Sequence, residues 1–143
     1  MVDFTKAMSN QHMIDGLNRV IEMNYRLIRH CDWAYKHAAG PDLKGMAEQL
    51  RSMHHGHIEM ISEMVRALGG VPASGDGPSP NDHFGVGGHN EQAIMISLRE
   101  EEDELQRHYV ETLKALGASG EVADVMNRTI DDARKQHEAL EVH

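Results

Sequence analysis

Between residues 43 and 68, Leu43, Ala47, Leu50, His54, His57, Ile61, Met64 and Leu68 follow one another at alternating spacings of four and three. An apolar repeat held for that length predicts a helix with one face turned into a bundle core. A lone amphipathic helix cannot bury its stripe, so the rest of the chain must supply helical partners. At the midpoint the stripe gives way to His54 and His57. Imidazoles at consecutive core positions are costly to bury unless a metal ion or a polar network satisfies them.

The remaining chain provides such partners. Ile14, Leu17, Ile21, Asn24, Ile28, Cys31, Tyr35 and Ala38 keep the same spacing, with Ser9 or Asn10 as N-cap after a short arm. Gly40-Pro41 closes this first helix, glycine taking a left-handed C-cap, and the short connection makes an antiparallel hairpin with the second. The 21 residues 69–89 contain seven glycines and three prolines, too many breakers for a helix or central strand. A crossover there lets helices two and three run parallel. Asn90 caps a third helix with Glu91 in its first turn, and its inward stripe reads Ile94, Leu98, Glu101, Leu105, His108 and Thr112. After Gly117, Ser119 opens a fourth helix with Met126, Ile130, Ala133, His137 and Leu140 facing in. The fold class is therefore all-α, a four-helix bundle forming a single domain over residues 1–143 with crossover 69–89.

Composition narrows the partners. Acidic residues outnumber basic ones 23 to 14, for a formal charge of −9, and no basic cluster offers a nucleic-acid footprint. The longest apolar run is the four residues 93–96, which holds neither a membrane span nor a signal-peptide core. Cys31 stands alone and makes no intrachain disulfide. A soluble, cytoplasmic protein is expected, with no nucleic-acid or membrane partner. Histidine (11) and methionine (10) are in excess; methionine reads as core filler, whereas several histidines fall on inward faces.

Register arithmetic brings the polar core residues to one height. An offset of 48 between parallel helices two and three puts His54 level with Glu102. Glu101 faces the region of His137 across the last turn, and His57 falls opposite Asn24 on helix one, with Glu22 beside it.

This arrangement resembles the ferritin-like superfamily, a four-helix bundle with one long crossover between helices two and three. The segment His54-His55-Gly56-His57-Ile58-Glu59-Met60 is similar to the family's Glu-x-x-His-x-Glu-Met, and Leu68-Gly69-Gly70-Val71-Pro72 resembles small bacterial members of unassigned function. The resemblance implies metal ligands at His57 and His137, at Glu101 or Glu102 on helix three, and at Glu22 on helix one. His54 stands where the helix-two bridging Glu is expected, and Arg134 where helix four should supply its Glu. A two-iron ferroxidase site needs several carboxylates, so what remains is a nitrogen-rich set of His54, His57, His137 and Glu101 or Glu102. That set suits a transition metal such as iron, zinc or copper. Arg134 could instead take the place of a second cation by pairing with Glu101 or Glu22.

Three functional readings follow. The first is a ferritin-like protein binding a transition metal in the bundle core for iron handling or oxidant defence, compatible with a homo-oligomer. The second is a non-catalytic interaction or scaffold protein whose histidines bond Glu101 and Glu102 in a metal-free buried network. The third retains ferroxidase-type activity despite the substitutions. His108 reads as a core histidine and Cys31 as an inert core thiol. His83 and His89 read as loop residues, and Tyr25, Trp33 and Tyr35 as packing residues.

Overall fold

The computed structural model of the protein describes residues 4–75, 84, 90–116 and 120–142; within these, the side chains of residues 4–9, 115, 116, 120–122, 137 and 139–142 lie outside the description. The described residues form α1 (Phe4–His37), α2 (Pro41–Ala67), α3 (Glu91–Leu116) and α4 (Gly120–Val142), with no strand among them. α1 packs against α2 and α3, and α4 against α3 and α2, so α2 and α3 face each other across the bundle diagonal. His54 pairs with Glu102 and His57 with Tyr109, so these two helices rise in the same direction. The parallel run of α2 and α3 is the arrangement expected from the glycine- and proline-rich segment between them in sequence.

The helix ends follow local chemistry, with two departures from expectation. α1 begins at Phe4, so Ser9 and Asn10 lie inside it rather than capping it. Gly40 is not left-handed: at φ −100°, ψ 157° it is the extended N-cap of α2, with Pro41 in the first turn, where a missing N–H costs nothing. The backbone N–H groups of Ala39 and Gly40 both donate to Glu91 Oε1, at 2.6 and 2.9 Å. Glu91 thereby ties the start of α3 to the α1–α2 turn. Asn90 caps α3 as expected, its Oδ1 accepting from Ala93 N at 2.8 Å. α2 ends in a Schellman motif. Gly69 at φ +87° donates to Arg66 O, and Gly70 donates to Val65 O.

The core falls into two apolar clusters. One gathers Leu17, Ile21, Leu27, Ile58, Ile61, Leu105, Met126 and Ile130; the other gathers Cys31, Ala34, Leu43, Ala47, Leu50, Ile94 and Leu98. Each fully buried leucine or isoleucine contributes about 1.5–3 kcal/mol by leaving water. His54, His57 and Glu102 lie between the clusters along their helices and are themselves buried. Two stripes shift from the sequence expectation. On α1, Tyr35 is exposed and Ala34 takes the inward place. On α3 the buried series is Leu98, Glu102, Leu105, Tyr109, so Glu101 and His108 each stand one residue off the core line. From Ile94 the buried spacings run four, four, three and four, where the expected stripe runs four, three, four and three.

Candidate functional site

All four helices contribute to one polar layer, and its hydrogen bonds fix the position of each group. On α1, the Asn24 amide nitrogen donates to Val20 O at 2.9 Å and to the Tyr109 hydroxyl at 2.8 Å. Val20 O can only accept, so the carboxamide cannot be flipped, and its Oδ1 must face His54 Nδ1 at 2.8 Å. Oδ1 accepts only, so His54 Nδ1 carries a proton. The other ring nitrogen, Nε2, lies 2.5 Å from Glu102 Oε1 on α3. A bare imidazole nitrogen and a bare carboxylate oxygen repel at that distance. A positive centre must therefore lie between them, and in the closed geometry it is a proton.

Glu102 Oε2, equally buried, has no hydrogen-bond partner among the described residues. A buried carboxylate oxygen without a donor is costly and calls for an explanation.

The layer continues toward the surface. The Tyr109 hydroxyl accepts from Asn24 and lies 3.3 Å from His57 Nδ1 and 3.1 Å from Asn24 Oδ1, so its own proton can go to either. Burial, chiefly, raises the Tyr109 phenol far above its ordinary range and keeps it protonated. His57 Nε2 meets Asp132 Oδ2 on α4 at 3.2 Å. Burial lowers the His57 imidazole pKa from 6.5; its hydrogen bond to Asp132 opposes this without cancelling it. The side chain of Asp132 is 48 % exposed, against 2 % for His57, so the layer reaches water there.

Glu101 belongs to a second cluster, in the groove between α1 and α3. Its Oε1 accepts from Arg26 Nε at 3.0 Å and its Oε2 lies 2.6 Å from His30 Nδ1. His30 Nε2 faces Ser97 Oγ at 2.9 Å, and Phe84 stacks on the imidazole at 4.4 Å between centroids. The cation partnering Glu101 is thus Arg26. Arg134 is exposed on α4, away from the role suggested by its sequence position.

Of the residues singled out from sequence, the structure brings His54, His57 and Glu102 into the layer at the expected height, with His54 and Glu102 in direct contact. Asn24 meets His54 rather than His57, one helical turn from the register estimate. Glu22 is exposed, its neighbours Ile21 and Asn24 taking the inward positions. The side chain of His137 lies outside the described residues, as do His83 and His89. Tyr109, Asp132 and His30 make polar contacts that sequence reasoning passed over. Tyr109 lies seven residues after Glu102, so a stripe drawn through Glu102 finds it. His30 likewise lies three residues after Leu27 and four before Ala34, on a stripe through two buried positions, whereas Asp132 leaves no such signal. Among the described residues no group of three or more His, Cys, Asp or Glu side chains is gathered closely enough to hold a metal ion, and no helix is long and apolar enough to cross a membrane.

Neither a family model nor a curated protein matches the chain. Solved structures do. A mutant of Dps1 from Mycobacterium smegmatis superposes with a TM-score of 0.81 at 16 % identity, covering 99 % of both chains. The bacterioferritin-related protein of Bacteroides fragilis, described as a dodecameric thioferritin, superposes with a TM-score of 0.76 at 14 % identity, over 92 % of this chain and 83 % of that one. At such identities the likeness is one of architecture. The chain has the ferritin-like four-helix-bundle fold.

Proposed function

We propose that this protein handles a transition metal, with His54 Nε2 and the Glu102 carboxylate as its inner ligands. The observation that carries this reading is the Glu102 Oε2 that has no partner among the described residues, on a carboxylate whose other oxygen and the His54 Nε2 facing it need a positive centre between them. The surrounding chemistry fits. A metal-binding histidine ordinarily donates its other N–H to a neighbouring carbonyl or carboxylate, and Asn24 Oδ1 supplies that partner to His54 Nδ1. Two adjacent ligands at metal-bond lengths stand about 2.9 Å apart in octahedral and about 3.4 Å apart in tetrahedral coordination. The 2.5 Å gap must therefore open, and the metal displaces the shared proton. One imidazole and one carboxylate leave coordination positions for water or substrate, consistent with iron, zinc or copper. The shared architecture with a Dps protein and a thioferritin favours iron handling or oxidant defence, and the dodecameric thioferritin favours homo-oligomeric assembly. A lone, deeply buried Cys31 and the acidic surface fit action in the cytoplasm.

A second reading is favoured by one specific feature. Both ring nitrogens of His54 and of His57 already face protein partners, so a proton between His54 and Glu102 closes the layer as a metal-free network. The protein would then be a scaffold. Metal content after reconstitution and dialysis separates the two. The metal reading expects about one ion per chain, lost in Glu102→Gln and His54→Gln, and a melting temperature that chelator lowers. Metal well below one ion per chain, or retention unchanged in both variants, removes the metal reading.

A further inference from the structure

We infer that His57 and Asp132 form a transit site, the point at which a divalent transition metal leaves water on its way to the His54–Glu102 gap. This rests on the metal reading above. The inner pair is closed to solvent, His54 and Glu102 being 0 and 1 % exposed, and Asn24 and Tyr109 beside them are fully buried. Among the described residues of the layer, only Asp132 reaches water, and its carboxylate points inward at His57 Nε2. His57 is the next donor inward, with its ring centroid 6.1 Å from that of His54. A cation following the polar groups therefore meets a water-exposed carboxylate, then an imidazole, then the inner imidazole and carboxylate.

His57 is built to accept a cation and give it up. In the resting arrangement its Nε2–H donates to Asp132 while Nδ1 accepts from Tyr109. To bind a metal at Nε2, the ring must carry its proton on Nδ1 instead. The Tyr109 oxygen can accept that proton while its own O–H turns to Asn24 Oδ1, 3.1 Å away. Both tautomers of His57 are thus satisfied by one rotating hydroxyl, so neither leaves a buried group orphaned. A site that holds its ion without an uncompensated cost in either state suits passage rather than storage.

Stopped-flow loading with Co(II), read by absorbance, tests the assignment on the full-length protein. Asp132→Asn keeps a hydrogen-bond partner for His57 but removes the charge that draws a cation inward. Loading should slow about ten-fold, with a weaker salt dependence. Release should slow by the same factor, leaving the dissociation constant and the stoichiometry unchanged. His57→Gln should behave alike, and Glu102→Gln should abolish binding. Unchanged rates in Asp132→Asn overturn the transit site while leaving the inner site standing. So does a fall in loading rate without a matching fall in release rate, which would make these residues permanent ligands. Failure of the native protein to take up Co(II) overturns the inner site, and the transit site with it.

Discussion

Asp132 on α4 and Glu102 on α3 stand at the two ends of one hydrogen-bonded chain that crosses the bundle. With Asn24 held by Val20 and the Tyr109 proton turned to His57, every donation in that chain runs the same way. His54 donates to Asn24, Asn24 to Tyr109, Tyr109 to His57 and His57 to Asp132. Asn24, whose oxygen cannot donate and whose nitrogen cannot accept, dictates the direction at its own contacts, and the turn of the Tyr109 proton sets it for the rest. A carboxamide in mid-chain also prevents the chain from relaying protons end to end. The proton shared by His54 and Glu102 is therefore insulated from the surface along this path.

The shared proton makes a distinction between two substitutions of Glu102. In metal-free protein, Glu102→Gln replaces the proton by an amide N–H that donates to His54 Nε2. The loss in stability should stay within about 1.5 kcal/mol, the worth of one ordinary buried hydrogen bond. Glu102→Ala leaves His54 Nε2 facing a void and should cost about 3 kcal/mol or more. Urea denaturation with chelator present measures both. Equal losses would mean that the pair is not held by a proton.

Tyr109→Phe should destabilise the fold by about 1–3 kcal/mol while leaving its packing volume almost unchanged. The hydroxyl serves both Asn24 and His57, and its removal leaves two buried groups short of a partner. Asn24→Leu removes the carboxamide end of the same contact. Combined in a double-mutant cycle, the two substitutions should cost less than their separate losses together, by about 0.5–3 kcal/mol. Additive losses would show that Tyr109 and Asn24 stabilise the bundle independently.

The sequence made the bundle legible because its helices repeat with a constant period, and the match of His54 with Glu102 followed from two helix starts alone. It failed where neighbouring residues compete for one inward place. Glu101 and Glu102 are chemically identical, and only which face of α3 turns inward decides that Glu102 enters the core while Glu101 turns to Arg26 and His30. The same half-step hid Tyr109 behind His108. Asp132 was illegible for another reason. An acid on the flank of α4 reads as a solvated charge, and nothing in the one-dimensional pattern reveals that His57 reaches out to meet it. Gly40 misled because Gly-Pro closes one helix and opens the next with the same two residues, and the extended conformation at Gly40 serves the opening.

His57 makes stability depend on pH. Burial disfavours its charged form in the folded protein, so the unfolded chain binds more protons in the window below its ordinary pKa of 6.5. Its contribution is fully present above pH 6.5 and is lost as pH falls through the lower folded-state value. In metal-free protein, stability should thus decline on acidification from pH 6.5, and His57→Gln should flatten part of that decline. Urea midpoints measured across this range decide the point. A slope unchanged by the substitution would assign the acid sensitivity to other groups.

Where the chain leaves α2, its path is fixed by Asn18 and Gly75. The Asn18 side chain donates to Val71 O at 3.0 Å and accepts from Ala73 N at 2.8 Å, replacing the backbone partners that an irregular segment lacks. Gly75 adopts φ +63°, and a Cβ there would stand 2.3 Å from the Tyr25 ring at Cγ, the fixed end of that side chain. The backbone thus lies flat on an aromatic face that only glycine can approach. Asn18→Ala should cost about 1–2 kcal/mol through the two lost bonds. Gly75→Ala combines a left-handed conformation with a clash that rotation about Tyr25 χ2 cannot relieve, so it should lift residues 71–75 off α1. Amide hydrogen exchange at Ala73 reports both effects. Its protection should fall in each variant while that of Leu50 and Ile61 in α2 holds, because the helix core does not depend on the docked segment. Loss of protection throughout α2 in Gly75→Ala would instead make this docking part of the bundle's cooperative unit.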